Sequence, residues 1–250
     1  MRRYRGVLFD LFGTLIEFDT RRLPALRLGE EDIRSTVGGL GELLAEWVPG
    51  TTPERFFEVL VSVSDEMARV RAYDHVELPS RERFRRALER VGCDDAKIAE
   101  AAVHLSRAHM AMIAAATRLP PAHAELLKGL RPGHRIGLVS NFDDTAAAYD
   151  ILRQHDLPQF LDSVIVSEAL GLRKPHPALF RAGLRDLGLA PADVLFVGDT
   201  FGQDVVGAQA AGLDVAWIDA AGTGVPDGAP APTFAVRALP EIAAILDAAG

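Results

Sequence analysis

Six side chains in this sequence carry groups that could do chemistry together: Asp10, Ser140, Asn141, Lys174, Asp199 and Asp204. Asp10 ends the apolar, β-prone run Val7-Leu8-Phe9 and precedes Leu11-Phe12-Gly13-Thr14. Gly13 and Thr14 there suit a tight turn with outward-pointing N–H groups. A carboxylate so placed can act as a nucleophile, and it faces a nest of amides of the kind that receives anions. Ser140-Asn141 follows Leu138-Val139, while Asp199 and Asp204 follow Phe196-Val197-Gly198. Lys174, in Leu172-Arg173-Lys174-Pro175, comes within ten residues of the apolar run at 164–166. Taken singly, each has a plain reading. Asp10 could open an ordinary turn, Ser140-Asn141 could cap a helix near 144, and Asp199 and Asp204 could cap a helix at 203–211. Lys174 could be a solvated loop lysine.

The elements that must position these groups follow from periodicity. After Pro121 the chain alternates strands, expected at 134–139, 163–167, 194–198, 214–218 and 232–236, with helices at about 121–130, 144–155, 176–187, 203–211 and 238–248. Such alternation implies a parallel sheet covered on both faces. A strand at 6–10 must join it, because alone it could bury nothing. Residues 18–117 read differently. Arg21, Arg22 and Pro24 mark a linker, and Ala25-Leu26-Arg27-Leu28 followed by Gly29-Glu30-Glu31-Asp32 suggests a small hairpin. Helical patterning then runs over 36–47 and from Thr52-Pro53-Glu54, a hydroxyl N-cap with Pro at the first position. Ser80 is expected to cap a helix that stops at Gly92, and Asp94 or Asp95 to open another running to about Thr117. The expected architecture is α/β, a Rossmann-like parallel sheet with helices on both faces in residues 1–17 and 118–250, interrupted by a mainly helical insertion at 18–117.

In such a sheet Asp10, Ser140 and Asp199 all fall on the carboxyl edge, where a ligand crevice forms. Three acids, a lysine and a hydroxyl converging there stabilise a fold poorly, unless a metal and an anion neutralise the charges. Oxygen ligands with retained waters suit Mg²⁺.

Composition narrows the classes. With 250 residues, 48% hydrophobic and 25% charged, the chain can bury a sizeable core. The net charge of −8 opposes non-specific nucleic-acid binding. The single cysteine, Cys93, excludes an intramolecular disulfide and fits a reducing compartment. The basic start Met1-Arg2-Arg3-Tyr4-Arg5 leads into a run interrupted by Asp10, unlike a secretory signal. No stretch reaches the roughly 18 apolar residues of a membrane span. A cytoplasmic protein with a small-molecule substrate is expected, no nucleic-acid or membrane partner, and a monomer or homodimer.

Together, in this order and spacing, the stretches at 7–14, 138–141, 172–175 and 196–204 closely resemble the four motifs of the haloacid dehalogenase-like (HAD) hydrolase superfamily, and the resemblance spans the whole chain. It implies a cap domain at 18–117 and a phosphatase mechanism. Asp10 would attack phosphorus to form an aspartyl-phosphate, and Lys174 would stabilise the charge in transfer. Ser140 and Asn141 would hold the phosphoryl group, with Leu11 and Phe12 against the substrate. Mg²⁺ would be held by Asp10, Asp199, Asp204 and the backbone carbonyl of Phe12.

One position departs from the phosphatase pattern. Phe12 stands where those enzymes carry an acid/base Asp, help that is typically worth about 10²–10⁴-fold. The family's 2-haloacid dehalogenases carry an aromatic there and use no metal, but they lack an acid at the position of Asp199. Besides a phosphatase, the resemblance therefore leaves open a dehalogenase in which Asp10 displaces halide, or an impaired phospho-ligand-binding protein.

Overall fold

The computed structural model describes residues 4–248; Met1, Arg2 and Arg3, part of the basic start, and residues 249–250 lie outside it. Two compact units are present among the described residues: one formed by residues 4–17, Arg118–Phe142 and 152–248, the other by Phe18–Thr117 and Asp143–Ile151.

The first unit begins with β1 (Gly6–Phe9), whose four residues are all buried. The chain leaves through β2 (Glu17–Phe18) and the second unit follows. A 3₁₀ turn at Thr20–Arg22 stands where a plain linker was expected. Strands β3 (Ala25–Leu28) and β4 (Glu31–Arg34) pair antiparallel, forming the expected hairpin with Leu26 opposite Ile33. The helical pattern at 36–47 resolves into a 3₁₀ turn and α1 (Gly41–Trp47). Helix α2 (Pro53–Asp74) starts as anticipated, with the Thr52 hydroxyl accepting from Arg55 N.

Helix α3 (Ser80–Arg90) corrects one expectation. Ser80 is its first residue rather than its cap, and its hydroxyl accepts from Ser106 Oγ at 3.0 Å instead of serving the helix N–H groups. Helix α4 (Ile98–Ala115) begins later than expected because Asp94 closes a turn onto Ala96 N and Lys97 N. Phe56, Met67, Phe84 and Leu105 are fully buried among this unit's core residues, and Cys93 is buried there too.

The chain returns through β5 (Thr117–Arg118), which pairs with β2. It continues through α5 (Pro121–Leu130), β6 (Arg135–Ser140), α6 (Thr145–Gln154), β7 (Ser163–Val166), α7 (Ser167–Leu170) and α8 (Pro177–Leu187). Then come β8 (Val194–Gly198), α9 (Val206–Ala210), β9 (Asp214–Ile218), β10 (Phe234–Val236) and α10 (Ile242–Ala248). The parallel sheet runs β10-β9-β8-β1-β6-β7. Strands β1, β8 and most of β6 are buried, so they read as continuous apolar runs, as parallel strands covered on both faces do. The ring of Phe180 on α8 meets Phe196 on β8 edge-to-face at 5.0 Å, tying helix to sheet. Strand β10 starts two residues later than anticipated.

The stretch Asp143–Ile151 differs from the sequence expectation, which kept it with the α/β unit. Its first residue is gripped by the helical unit: Asp143 O accepts from Ser80 N at 2.7 Å, and its carboxylate pairs with Arg71 and Arg83. No helix among the described residues is long and apolar enough to cross a membrane.

Candidate active site

The strand order brings the chemical residues together. Strand β1 lies between β6 and β8, with Phe9 opposite both Leu138 and Val197. Asp10, Ser140 and Asp199, each following its strand's apolar run, therefore emerge side by side on the carboxyl edge. Asp10 N donates to Val197 O at 2.9 Å, which carries the strand pairing as far as the carboxylate.

Lys174 is the hub. Its ammonium, 2% exposed as a residue, donates to Asp10 Oδ1 at 2.6 Å and Asp204 Oδ1 at 2.7 Å. Asp204 is fully buried, and its other oxygen accepts from Thr200 N at 2.9 Å. That bond, with Asp204 N on Thr200 O, shapes the wide π turn at Phe201–Val205 that precedes α9. Asp204 therefore does not cap a helix; it holds Lys174. Carboxylate oxygens of Asp10, Asp199 and Asp204 lie within 4.8 Å of one another.

Two glycines make this crowding possible. A side chain at Gly13, whose φ is +80°, would strike Asp199 Oδ2 at 2.4 Å, and one at Gly198 would strike Asp204 Cγ at 2.4 Å.

One ammonium faces three carboxylates in a buried setting, and proton affinities respond. Burial pushes Asp10 up to about 7, against the pull of Lys174 and with help from Asp204 and Asp199. Burial raises Asp199 as well, Asp204 adding to the effect. Burial works against the charge on Lys174, but the two carboxylates it touches outweigh this and hold it above the usual lysine range. A deficit of positive charge beside all-oxygen donors is the environment a hard divalent cation fits.

The remaining residues sort themselves. Ser140 Oγ is buried without a hydrogen-bond partner, as is Thr14 Oγ1, so both hydroxyls are available to a group bound at the site. The Asn141 side-chain amide is engaged at both ends: Oδ1 accepts from Lys174 N at 2.7 Å, while Nδ2 donates to Lys174 O at 3.1 Å and Gln203 Oε1 at 2.8 Å. Its side chain thus brackets the Lys174 backbone. It does not cap α6, whose first turn is served by Asp144 Oδ1 accepting from Ala147 N. Leu11 is fully buried, and its carbonyl accepts from Leu15 N and Ile16 N, leaving only its backbone for a ligand. The half-buried ring of Phe12 stacks on Phe142, centroids 5.1 Å apart. His176 caps α8, its Nδ1 accepting from Ala178 N.

Sequence reasoning missed Gln203, Phe142 and Trp217. Trp217 on β9 donates from Nε1 to Asp199 O at 2.9 Å and meets Phe201 edge-to-face at 5.1 Å, bracing the acid from behind. Gln203 lies inside a recognised motif but its role depends on Asn141. Trp217 carries no local signal, since only the pairing of Gly198 with Trp217 brings it there.

A parallel α/β sheet with acids, a hydroxyl and a lysine gathered on its carboxyl edge defines a polar crevice site at the strand ends, and comparison with known proteins gives the family. The model of the haloacid dehalogenase-like hydrolases matches residues 4–212, and the chain belongs to that family. The pyrimidine 5'-nucleotidase YjjG of Escherichia coli is 32% identical over 165 residues, 66% of this chain and 69% of that protein. Among solved structures, a 2-haloacid dehalogenase from Pseudomonas syringae superposes with a TM-score of 0.71 at 22% identity, covering both chains in full. The HAD-hydrolase YfnB of Bacillus subtilis, solved bound to magnesium, superposes at 0.64 with 22% identity, covering 98% of this chain and 100% of that one.

Proposed function

We propose that this hydrolase is a Mg²⁺-dependent phosphatase acting on a small phosphorylated molecule through an aspartyl-phosphate on Asp10. The observation that carries this reading is the charge imbalance beside Ser140: three clustered acids, one lysine and an unpaired buried hydroxyl. A phosphoryl group fits the donors, since Lys174 supplies charge and Ser140 a hydroxyl. Asp10 and Asp199 would hold the cation, which supplies charge neutralisation when bound; magnesium in the YfnB structure is in keeping with this. Asp204 keeps Lys174 protonated and aimed at Asp10.

In the first step an Asp10 oxygen attacks phosphorus while the leaving oxygen departs with its electron pair. Water then attacks the phosphoryl group, releasing phosphate and restoring the carboxylate. Lys174 stays within reach of Asp10 throughout and offsets charge that develops on the transferring group. We further infer that residues 18–117 act as the cap that selects substrate.

A second reading draws on Phe12. An aromatic in place of the acid/base, together with the dehalogenase-like fold, favours displacement of halide from a 2-haloacid by Asp10. Asp199 argues against it, because without a cation it would repel both Asp10 and a substrate carboxylate. Phosphate release from a panel of phosphoesters, run beside halide release from 2-chloropropionate with and without Mg²⁺, separates the two. Metal-dependent phosphate release supports the phosphatase; metal-independent halide release overturns it.

A further inference from the structure

We propose that Phe12 and Phe142 form an aromatic wall that receives the leaving group, so that the preferred substrates are phosphate monoesters of planar aromatic alcohols; this rests on the phosphatase reading and specifies its substrate class. The two rings come from adjoining strand ends. Phe12 lies two residues beyond Asp10 after β1, and Phe142 two residues beyond Ser140 after β6. Each ring thus follows, by two residues, a group of the site on adjoining strands.

Their geometry is that of an offset stack, with an interplanar angle of 28°. Both backbones are fixed. Ser167 Oγ accepts from Phe142 N at 2.9 Å and donates to Phe142 O at 3.1 Å. Phe12 is bridged to Ile16 across a turn closed by Leu15 N and Ile16 N on Leu11 O. Two half-buried phenyl rings, stacked on fixed backbones at the strand ends that carry Asp10 and Ser140, add little to a site that handles only polar groups. They suit a flat apolar moiety at low entropic cost, because neither wall must be ordered on binding.

A second observation points to the same class. The turn Leu11-Phe12-Gly13-Thr14 carries no acid that could protonate the departing oxygen. When Asp10 attacks, the phosphorus–oxygen bond breaks and its electron pair must leave on that oxygen as an anion. A phenolic oxygen, with a pKa of about 10, accepts this readily. An alkyl alkoxide, close to the ~16 of water, does not. In the second half-reaction water forms a bond to phosphorus, the phosphorus–Asp10 bond breaks, and the water's protons leave on inorganic phosphate, so no protein acid is needed to balance the cycle. A ring wall and a turn without an acid beyond the nucleophile both favour an aryl ester.

The test uses the full chain with Mg²⁺ and two non-hydrolysable probes of similar size, phenylphosphonate and cyclohexylphosphonate, titrated calorimetrically. Phenylphosphonate is expected to bind about 3- to 10-fold more tightly, the gain typical of an aromatic pair beyond its buried area. Phe142→Leu is expected to remove most of that preference while leaving cyclohexylphosphonate affinity within about 2-fold. In turnover, phenyl phosphate should exceed cyclohexyl phosphate by about 10²-fold or more, the scale of the missing acid catalysis. Equal affinities in the wild type, a measurement that needs no variant, would overturn the wall. A preference unchanged in folded Phe142→Leu would do the same. Phosphate release with equal affinities sinks this inference alone. A persisting phenylphosphonate preference with no phosphate released from any monoester sinks the phosphatase reading and the substrate class with it, leaving the wall only as a binding surface.

Discussion

Two buried polar clusters, one in each unit, differ in a single respect. In the α/β unit, Asp10, Asp199 and Asp204 surround one ammonium, Lys174. In the helical unit, two cations meet two anions. Arg71 pairs with Glu77 at 2.9 Å and Asp143 at 3.3 Å, and Arg83 lies 3.7 Å from Asp143. His109 completes the second cluster as a neutral ring. Arg83 donates to its Nε2 side at 3.1 Å, which leaves Nδ1–H for Thr36 Oγ1 at 2.7 Å. The helical cluster is matched in charge, although Arg71 Nε and Arg83 Nε in it lie buried without a hydrogen-bond partner, and its task is to hold helices and the Asp143 backbone in place. The first is short of positive charge, with three acids and one ammonium. Buried charge that balances locally reads as architecture, whereas buried charge that does not marks a functional-site candidate.

The comparison can be broken most sharply at the nucleophile. Asp10→Asn should cut turnover by more than about 10³-fold, yet leave the thermal midpoint of the metal-free protein unchanged or higher, because it relieves an excess of acid. Retained activity would remove Asp10 from the mechanism. The mirror experiment is Glu77→Gln. Opening a balanced buried cluster should cost about 3 kcal/mol of unfolding free energy in urea titrations. A cost below about 1 kcal/mol would mean that the helical cluster contributes little to stability.

Mg²⁺ should stabilise the wild type by about 2.7 kcal/mol at a concentration a hundred times its Kd, and Asp199→Asn should abolish this shift in thermal unfolding. An undiminished shift would place the cation elsewhere.

The pH dependence of stability probes the helical cluster. Burial, reinforced by the nearby Arg83 charge, depresses His109 to about 3, below the ~6.5 of an unfolded histidine. The unfolded chain then binds the extra proton. The stability contributed by neutral His109 is whole above about pH 6.5 and is lost as pH falls toward 3, by up to about 1.4 kcal/mol per pH unit. His109→Gln should flatten that stretch of the profile, and an unchanged slope would show that the ring titrates normally. The smallest effect is expected at Trp217→Phe, which keeps an aromatic ring but loses the donor to Asp199 O. Mg²⁺ affinity measured by calorimetry should weaken by about 1 kcal/mol, with the fold intact by circular dichroism.

Much of the molecule was legible beforehand, but unevenly. The sheet strands could be read because burial on both faces leaves unbroken apolar runs, as in Val194–Gly198. The hairpin at 25–34 announced itself through alternation around Gly29. Ser80 misled, because its residue type suits a cap while its actual partner, Ser106, sits on another helix 26 residues away. Asn141 was similarly ambiguous: next to Ser140 it suggested a ligand contact, and its side-chain amide also brackets the Lys174 backbone and bonds Gln203.

By itself the amino-acid order determined that carboxylates, a hydroxyl and a lysine follow apolar runs, and hence the kind of chemistry available. Those are properties of a few consecutive residues and need no knowledge of neighbours. Tertiary structure decided which atoms meet. Lys174 reaches Asp10 across 164 positions of chain, and Trp217 reaches Asp199 because β9 pairs with β8. Phe12 reaches Phe142 because β1 lies beside β6. Strand order places residues side by side that no periodicity relates, and a hydrogen bond forms only over about 3 Å, so the partners of each group were settled by the order β8-β1-β6 at the centre of the sheet.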